Sequence, residues 1–307
     1  MLAEISYPPI PIFDVGPLRL SLHGLMAGVG FVVGASLMIR EARRRGFDED
    51  KITSVLTWAL VGSLIGARYF TSPAHLDEGL AEALKPFGTF SIMGGFAGGI
   101  IVGWWRMRRL GLDVAAHMDM ASFGLAIGTV VGRIGDLLIV EHLGGRTNAF
   151  FGYGVKPGYD LAPQHNALEC ATTARADGLC AVPGSPDLAG VYHHVALYDL
   201  IGAALLLGLL YLLARRWTQI RYSTLILVWG AWYGLQRFVL DFMRNTDLPG
   251  ADATAGPFTW NQWTGLVAGV IALGLAAWVT VRRRTPVVSA ADDVARGARP
   301  RSEAAAG

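Results

Sequence analysis

The chain has 307 residues, 52% of them hydrophobic and only 16% charged, with a net charge of +2 and a mean hydropathy of +0.40. These values fit an integral membrane protein rather than a soluble domain. The basic residues fall in short clusters between apolar runs, which marks them as membrane anchors and gives no case for a nucleic-acid partner.

Seven apolar segments follow in chain order: about Leu20–Ile39, Ile52–Phe70, Phe87–Trp105, His117–Val140, His194–Ala214, Ser223–Phe242 and Trp260–Val281. A spanning helix needs about 20 mainly apolar residues. The third segment is rich in glycine and is expected to be broken or partly re-entrant. No basic stretch and no small-residue cleavage site precede the first, so it reads as an uncleaved helix. Arg40, Arg43, Arg44, Arg45 and Lys51 follow the first segment, Arg106, Arg108 and Arg109 the third, Arg215, Arg216 and Arg221 the fifth, and Arg282, Arg283 and Arg284 the seventh. The intervening connections are poor in basic residues, so the N-terminus is expected outside and the C-terminus inside. The predicted fold class is an all-α integral membrane protein, seven transmembrane helices with an extracytoplasmic loop insertion. The seven-helix domain covers residues 1–285, with an outer loop over 141–193, and a polar tail over 286–307 is expected to be disordered and cytoplasmic.

The outer loop holds Cys170 and Cys180. Outside the cytoplasm they are free to form a disulfide that staples the loop, or they stay as two thiols. They form no metal motif, and no metal or other cofactor is expected. Gly124, Gly128 and Gly132 share one face of the fourth segment, Gly94 and Gly98 (with Gly95 and Gly99) do so in the third, and Gly62 and Gly66 in the second. Such spacing lets helix backbones approach closely. Gly132 and Gly135 also flank an arginine, where they leave room for a ligand. Trp104, Trp105, Trp217, Trp260 and Trp263 sit near segment ends as an interfacial belt.

The chemistry concentrates on two intramembrane arginines. Arg133 has Asp136 three residues on and Glu141 at the far end of the fourth segment; Arg237 has Asp241 four residues on and then Arg244. A guanidinium at membrane depth costs about 2.5–3.5 kcal/mol or more, so it is kept where it is paired, hydrated or useful. These spacings put each pair on one helix face. One reading is that the pairs only neutralise each other and tie helices together. The other is a clamp near the outer leaflet for a phosphodiester, whose oxygens match the guanidinium fork. His23, at the outer end of the first segment, and His193 and His194, which open the fifth, lie at the same expected depth.

The run GRIGDLLIVEHLGGRTN resembles the signature of the bacterial prolipoprotein diacylglyceryl transferases, roughly G-R-x-G-N-x-x-N-x-E-x-x-G-R. FDVGPLRLSLHGLMAGVGF, GARYF, FSIMGGFAGG, HHVALYDLI, YGLQRFVLDFMRNTD and WNQWTGLVAGV are similar to other motifs of that family, in the same order. The resemblance implies a multi-pass enzyme of the bacterial cytoplasmic (inner) membrane. It implies transfer of a diacylglyceryl group from phosphatidylglycerol to the lipobox cysteine that follows a prolipoprotein's signal peptide, with release of glycerol phosphate. Carried over by motif, Arg133 and Arg237 bind and polarise the phosphate and Glu141 orders the arginines or the peptide. Gly132, Asp136, Asp241, Gly94, Gly95 and Arg146 line the substrate, and membrane lipid is a further partner.

This chain departs from the pattern inside the site. Met93 stands where the family has histidine, His23 where it has an aromatic residue, Asp136 for asparagine and Asp241 for glutamate. HHVALYD lacks the motif's proline, glutamine and glutamate and carries Val195, Ala196 and Asp199 in that stretch. His23, which titrates near neutrality, is the candidate to take over the base role. Three functions follow from the pattern: the diacylglyceryl transfer itself, a related transfer to another acceptor, and lipid or lipoprotein binding without turnover.

Overall fold

The computed structural model describes residues 5–10, 13–15, 18–44, 46–70, 91–140, 143–156, 190–216, 223–244 and 254–282. Seven helices are present among them: α1 (Leu22–Arg44), α2 (Glu49–Tyr69), α3 (Ile92–Arg109), α4 (Val114–Ile139), α5 (Val195–Arg216), α6 (Thr224–Asp241) and α7 (Trp260–Arg282). Each coincides with one of the seven apolar segments. Five of them, α1, α2, α4, α5 and α7, are long and apolar enough to cross a membrane, so the chain is a multi-pass membrane protein. The other two are less apolar because α3 ends in Arg106, Arg108 and Arg109 and α6 carries Gln236, Arg237 and Asp241. Large apolar side chains such as Leu64, Ile101, Leu205, Val270 and Ile271 are more than half exposed, as suits surfaces that face lipid.

Two expectations need correction. The third segment is one continuous helix over its 18 described residues, not a broken element. Ser91 caps it by accepting a bond from Gly94 N at 3.2 Å, and its glycines serve packing rather than a break. The fold is also not purely helical. Short strands β1 (Phe13–Val15) and β2 (Leu18–Leu20) pair, β3 (Leu143–Arg146), β4 (Tyr153–Val155) and β5 (Gly190–His194) form an antiparallel sheet in the order β3-β5-β4, and β6 (Thr254–Ala255) pairs with β7 (Phe258–Thr259). The residues between β4 and β5, including Cys170 and Cys180, lie outside the described residues, so the disulfide expectation has no structural counterpart.

Two compact units divide the chain. The first comprises Met1–Val33, Ala126–Leu206 and Leu235–Leu266; the second comprises Gly34–Leu125, Leu207–Gly234 and Val267–Gly307.

In the second unit, α2 and α3 meet along Gly62 and Gly66 on one helix and Gly94 and Gly98 on the other. A Cβ on Gly62 would stand 2.6 Å from the Gly98 carbonyl oxygen, so the contact is backbone to backbone. Gly34 of α1 and Gly124 of α4 approach in the same way. The rings of Trp229 and Tyr233 stack on α6, and Phe96 of α3 meets both edge-on at 5.0 Å.

In the first unit, Gly30 and Gly128 bring α1 and α4 together, and the three-stranded sheet closes over the end of α4. Val140, Leu143, Tyr153, Val155 and Tyr192 form its buried core, with Tyr7 packed against them. The N-terminal segment is bound to this sheet: Ile5 N donates to Gly152 O at 3.1 Å and Gly154 N donates to Ile5 O at 2.8 Å. Val140 leaves α4 with φ 55°, a left-handed conformation that a β-branched residue rarely adopts. Its complete burial in the sheet core holds it there.

His194 is fully buried beside Tyr7, whose hydroxyl donates to Leu137 O at 2.5 Å and lies 3.1 Å from His194 Nε2. Burial pushes the Tyr7 hydroxyl up to about 12, so it stays a neutral donor. Burial also lowers His194 from 6.5 to about 4.

Two predictions follow from this packing. Gly30→Ala drives a Cβ to 2.5 Å from Gly128 O and is expected to cost about 1–3 kcal/mol. Gly28→Ala, with nothing within 4 Å, is neutral or slightly stabilising, and thermal unfolding in detergent separates the two. For His194, the unfolded chain takes up a proton near 6.5 and the folded one only near about 4. Stability therefore falls as pH drops through that window, by at most about 3 kcal/mol, and levels off below it. His194→Gln is expected to remove that part of the pH dependence in unfolding measured from pH 4 to 7.

Candidate active site

The first unit gathers its charges in two clusters. In the first, Arg133 and Asp136 lie three residues apart on one face of α4, and both are buried. Asp136 uses both carboxylate oxygens: Oδ2 accepts from Arg133 Nη1, and Oδ1 meets His23 Nδ1 from α1. Arg133 Nη2 reaches Asp199 Oδ2 of α5 at 2.7 Å. Asp199 is itself held from α6, where Gln236 Nε2 donates to its Oδ1 at 2.7 Å and to its backbone oxygen at 3.2 Å. Side chains from four helices are thereby joined: His23, Asp136 with Arg133, Asp199 and Gln236. Among the described residues one guanidinium thus faces two carboxylates.

Glycines make this arrangement possible at two points. A Cβ on Gly135 would stand 2.7 Å from Leu22 O and 3.0 Å from His23 Cα, so only glycine lets the first turn of α1 sit against α4. Gly202 leaves the space that the Gln236 amide fills.

The second cluster is built the other way round, with a carboxylate between guanidiniums. Asp241, buried on α6, faces Arg237 Nη2 at 3.2 Å and Arg244 Nε at 3.4 Å. Thr259 Oγ1 donates to its other oxygen at 2.9 Å. Thr259 also starts α7 in a reciprocal cap: Gln262 N donates to Thr259 Oγ1 at 3.1 Å, and Thr259 N donates to Gln262 Oε1 at 2.9 Å. From β3, Gly145 N donates to Met243 O at 3.2 Å, which fixes the chain beside Arg244. Among the described residues two guanidiniums face this one carboxylate, and the buried Arg237 Nε has no hydrogen-bond partner there. A buried guanidinium with a donor to spare suits an anionic ligand.

The other residues singled out from the sequence fall as follows. Gly132 faces α1, where a Cβ would stand 4.0 Å from Ala27 Cα. Gly94 and Gly95 belong to the second unit and face α2, as the neighbours Phe70 and Ser63 show. Arg146 is exposed, with its guanidinium 5.2 Å from the centre of the Tyr192 ring. Glu141 lies outside the described residues. His193 Nδ1 is 3.4 Å from the Tyr198 hydroxyl, and burial holds its imidazole below the usual range. Asp199 and Gln236 were not among the expected site residues. The replacement of the motif's glutamate by Asp199 was the available signal, since a buried acid on an apolar helix calls for a cation. Thr259 and Gln262 were announced by the T-x-x-Q spacing in TWNQ.

Asp199→Ala leaves Arg133 with one carboxylate and Gln236 without its acceptor. Losing a contact of this charge-assisted kind costs about 1.5–3 kcal/mol. Unfolding in detergent is expected to show that loss, and Gly202→Ala, which would push the Gln236 amide away from Asp199, to show part of it.

A family model described as prolipoprotein diacylglyceryl transferase matches residues 11–280. A phosphatidylglycerol–prolipoprotein diacylglyceryl transferase of Thermus thermophilus is 30% identical over 243 residues, covering 74% of this chain and 81% of its own. Proteins of the same description from Frankia alni and Mycobacteroides abscessus are 27% and 26% identical, covering 92% and 79% of this chain and 69% and 70% of their own.

Proposed function

The chain belongs to the prolipoprotein diacylglyceryl transferase family, and we propose that it carries out that transfer. A diacylglyceryl group moves from phosphatidylglycerol to the lipobox cysteine thiol of a prolipoprotein, a thioether forms, and glycerol phosphate is released. The observation that carries this reading is the buried guanidinium of Arg237, paired with Asp241 through Nη2 and with its Nε left without a hydrogen-bond partner among the described residues. In this reaction a phosphodiester monoanion leaves as a phosphate monoester and gains charge. Fixed cations in a dry site stabilise that change without reorganising.

The three arginines divide the work. Arg237 and Arg244 bind and polarise the phosphate. Arg133, whose fork already meets Asp136 and Asp199, holds the frame and contributes its field. Gly132 and Arg146 line the lipid and peptide paths, and Glu141 orders the arginines or the incoming signal-peptide segment. The chain crosses the bacterial cytoplasmic membrane seven times, with its N-terminus and the loop over 141–193 outside and the polar tail over 286–307 inside. That topology puts both clusters at the outer leaflet, where a secreted precursor presents its lipobox.

Met93, where the family has histidine, favours a second reading in which the chain binds phosphatidylglycerol or lipoprotein without turning it over, or serves another acceptor. Purified protein, phosphatidylglycerol and a lipobox peptide distinguish the two. The transferase adds a diacylglyceryl mass to the peptide and releases glycerol phosphate in equal amount; lipid binding with no product supports the second reading. Arg237→Ala is expected to lower turnover on the order of 100-fold or more, in line with removal of a group that stabilises developing charge. Full activity in that variant removes the phosphate role.

A further inference from the structure

We propose that the arginine–tryptophan patch at the C-terminal end of α3 binds the headgroup of an anionic phospholipid, whose acyl chains run along the exposed faces of α2 and α3. Arg106, Arg108 and Arg109 close α3, where cations complement the helix dipole. Dipole and membrane anchoring account for the charge, but not for the way the three guanidiniums are held.

Each of them lies over a tryptophan ring. The Arg108 guanidinium is 5.3 Å from the centre of the Trp104 ring, and that of Arg109 is 5.6 Å from the centre of the Trp105 ring. Arg106 reaches across to α2, where it lies 6.0 Å from the centre of the Trp58 ring. Its Nε and Nη2 both donate to Ser54 Oγ, at 3.0 and 2.8 Å. Trp58 and Trp105 meet edge-on at 5.9 Å, so the two helices share one aromatic floor. A guanidinium over a ring is held in place while the N–H groups on its edge stay available to phosphate oxygens. Among the described residues no carboxylate pairs with any of the three arginines. Arg108 and Arg109 are exposed, so a headgroup reaches them without displacing a side chain.

The surface next to the arginines selects a lipid over a free anion. Trp58, Trp104 and Trp105 are each more than a third exposed, as suits rings at the headgroup level of a bilayer. One turn further from the arginines, α3 presents Ile101, and α2 presents Val61 and then Ile65; both isoleucines are more than half exposed. Along the two helices the surface is therefore cationic, then aromatic, then aliphatic. An anionic phospholipid has the same order, with its phosphate first, its glycerol backbone next and its acyl chains last. Basic patches between transmembrane helices hold such headgroups, and the guanidinium fork matches their phosphate oxygens. The patch belongs wholly to the second unit, whereas Arg237 and Arg244 belong to the first.

The test is thermal unfolding of the full chain in detergent, titrated with dioleoyl phosphatidylglycerol, dioleoyl phosphatidylcholine or inorganic phosphate. The parent and the Arg108→Gln/Arg109→Gln chain are compared, each with and without Arg237→Ala, so that a phosphate held in the first unit is told apart. Phosphatidylglycerol is expected to raise Tm by about 3 °C or more near saturation, with or without Arg237, and the other two additives by much less. Replacing Arg108 and Arg109 by glutamine is expected to raise the half-saturating amount of phosphatidylglycerol about 10-fold or more. Trp104→Leu/Trp105→Leu, which keeps the charges, is expected to raise it about fivefold and answers the question if the glutamine pair does not fold. No rise with phosphatidylglycerol, an equal rise with phosphatidylcholine, or a glutamine pair within about threefold of its background overturns the proposal. Inorganic phosphate that gives the same rise marks a site for a free anion and overturns it as well.

Discussion

Arg133 sits between two carboxylates from different helices, and most of the first unit is arranged around that fact. Asp136 comes from the same turn of α4, and Asp199 arrives from α5. A guanidinium with 4% exposure has lost its water, so each of those contacts replaces solvation that the bilayer and the neighbouring side chains cannot provide. Removing either acid takes away one of the guanidinium's two carboxylate contacts among the described residues. The glycines at 135 and 202 and the amide of Gln236 are there because the acids have to be brought close and held in one orientation.

The two charged clusters differ in make-up: Arg133 lies between two carboxylates, whereas Asp241 lies between two guanidiniums. The two are linked through adjacent residues of α6: Gln236 bonds to Asp199 while Arg237 pairs with Asp241. A shift of that helix therefore affects both clusters.

The helices were legible in the sequence because a membrane demands long apolar runs, and the seven segments match α1–α7 to within a few residues at most described ends. The Arg133–Asp136 and Arg237–Asp241 pairs were legible too, since i,i+3 and i,i+4 spacing fixes them on one face whatever the tertiary fold. The contacts His23–Asp136 and Arg133–Asp199 were not, because they join residues far apart in the chain and depend on how helices are packed. Glycine stripes announced close helix contact but not which partner each would meet; Gly94 turned out to face α2. Short strands such as Gly190–His194 escaped because a few residues among polar loops carry no clear period.

The pairing within α4 bears on how the protein is made. Arg133 and Asp136 are three residues apart, so the guanidinium can enter the bilayer already neutralised by a neighbour on its own helix. Asp199 has no such companion: it is the only charged residue of α5 before Arg215. Inserted alone, α5 would carry an uncompensated acid into lipid; inserted after α4, it meets a guanidinium with room for a second partner. Synthesis runs in that order, from α4 to α5. The aspartate thus rewards lateral assembly of the later helix onto the earlier one, and a chain circularly permuted to deliver α5 before α4 would have to hold that acid at the membrane surface until its partner arrived.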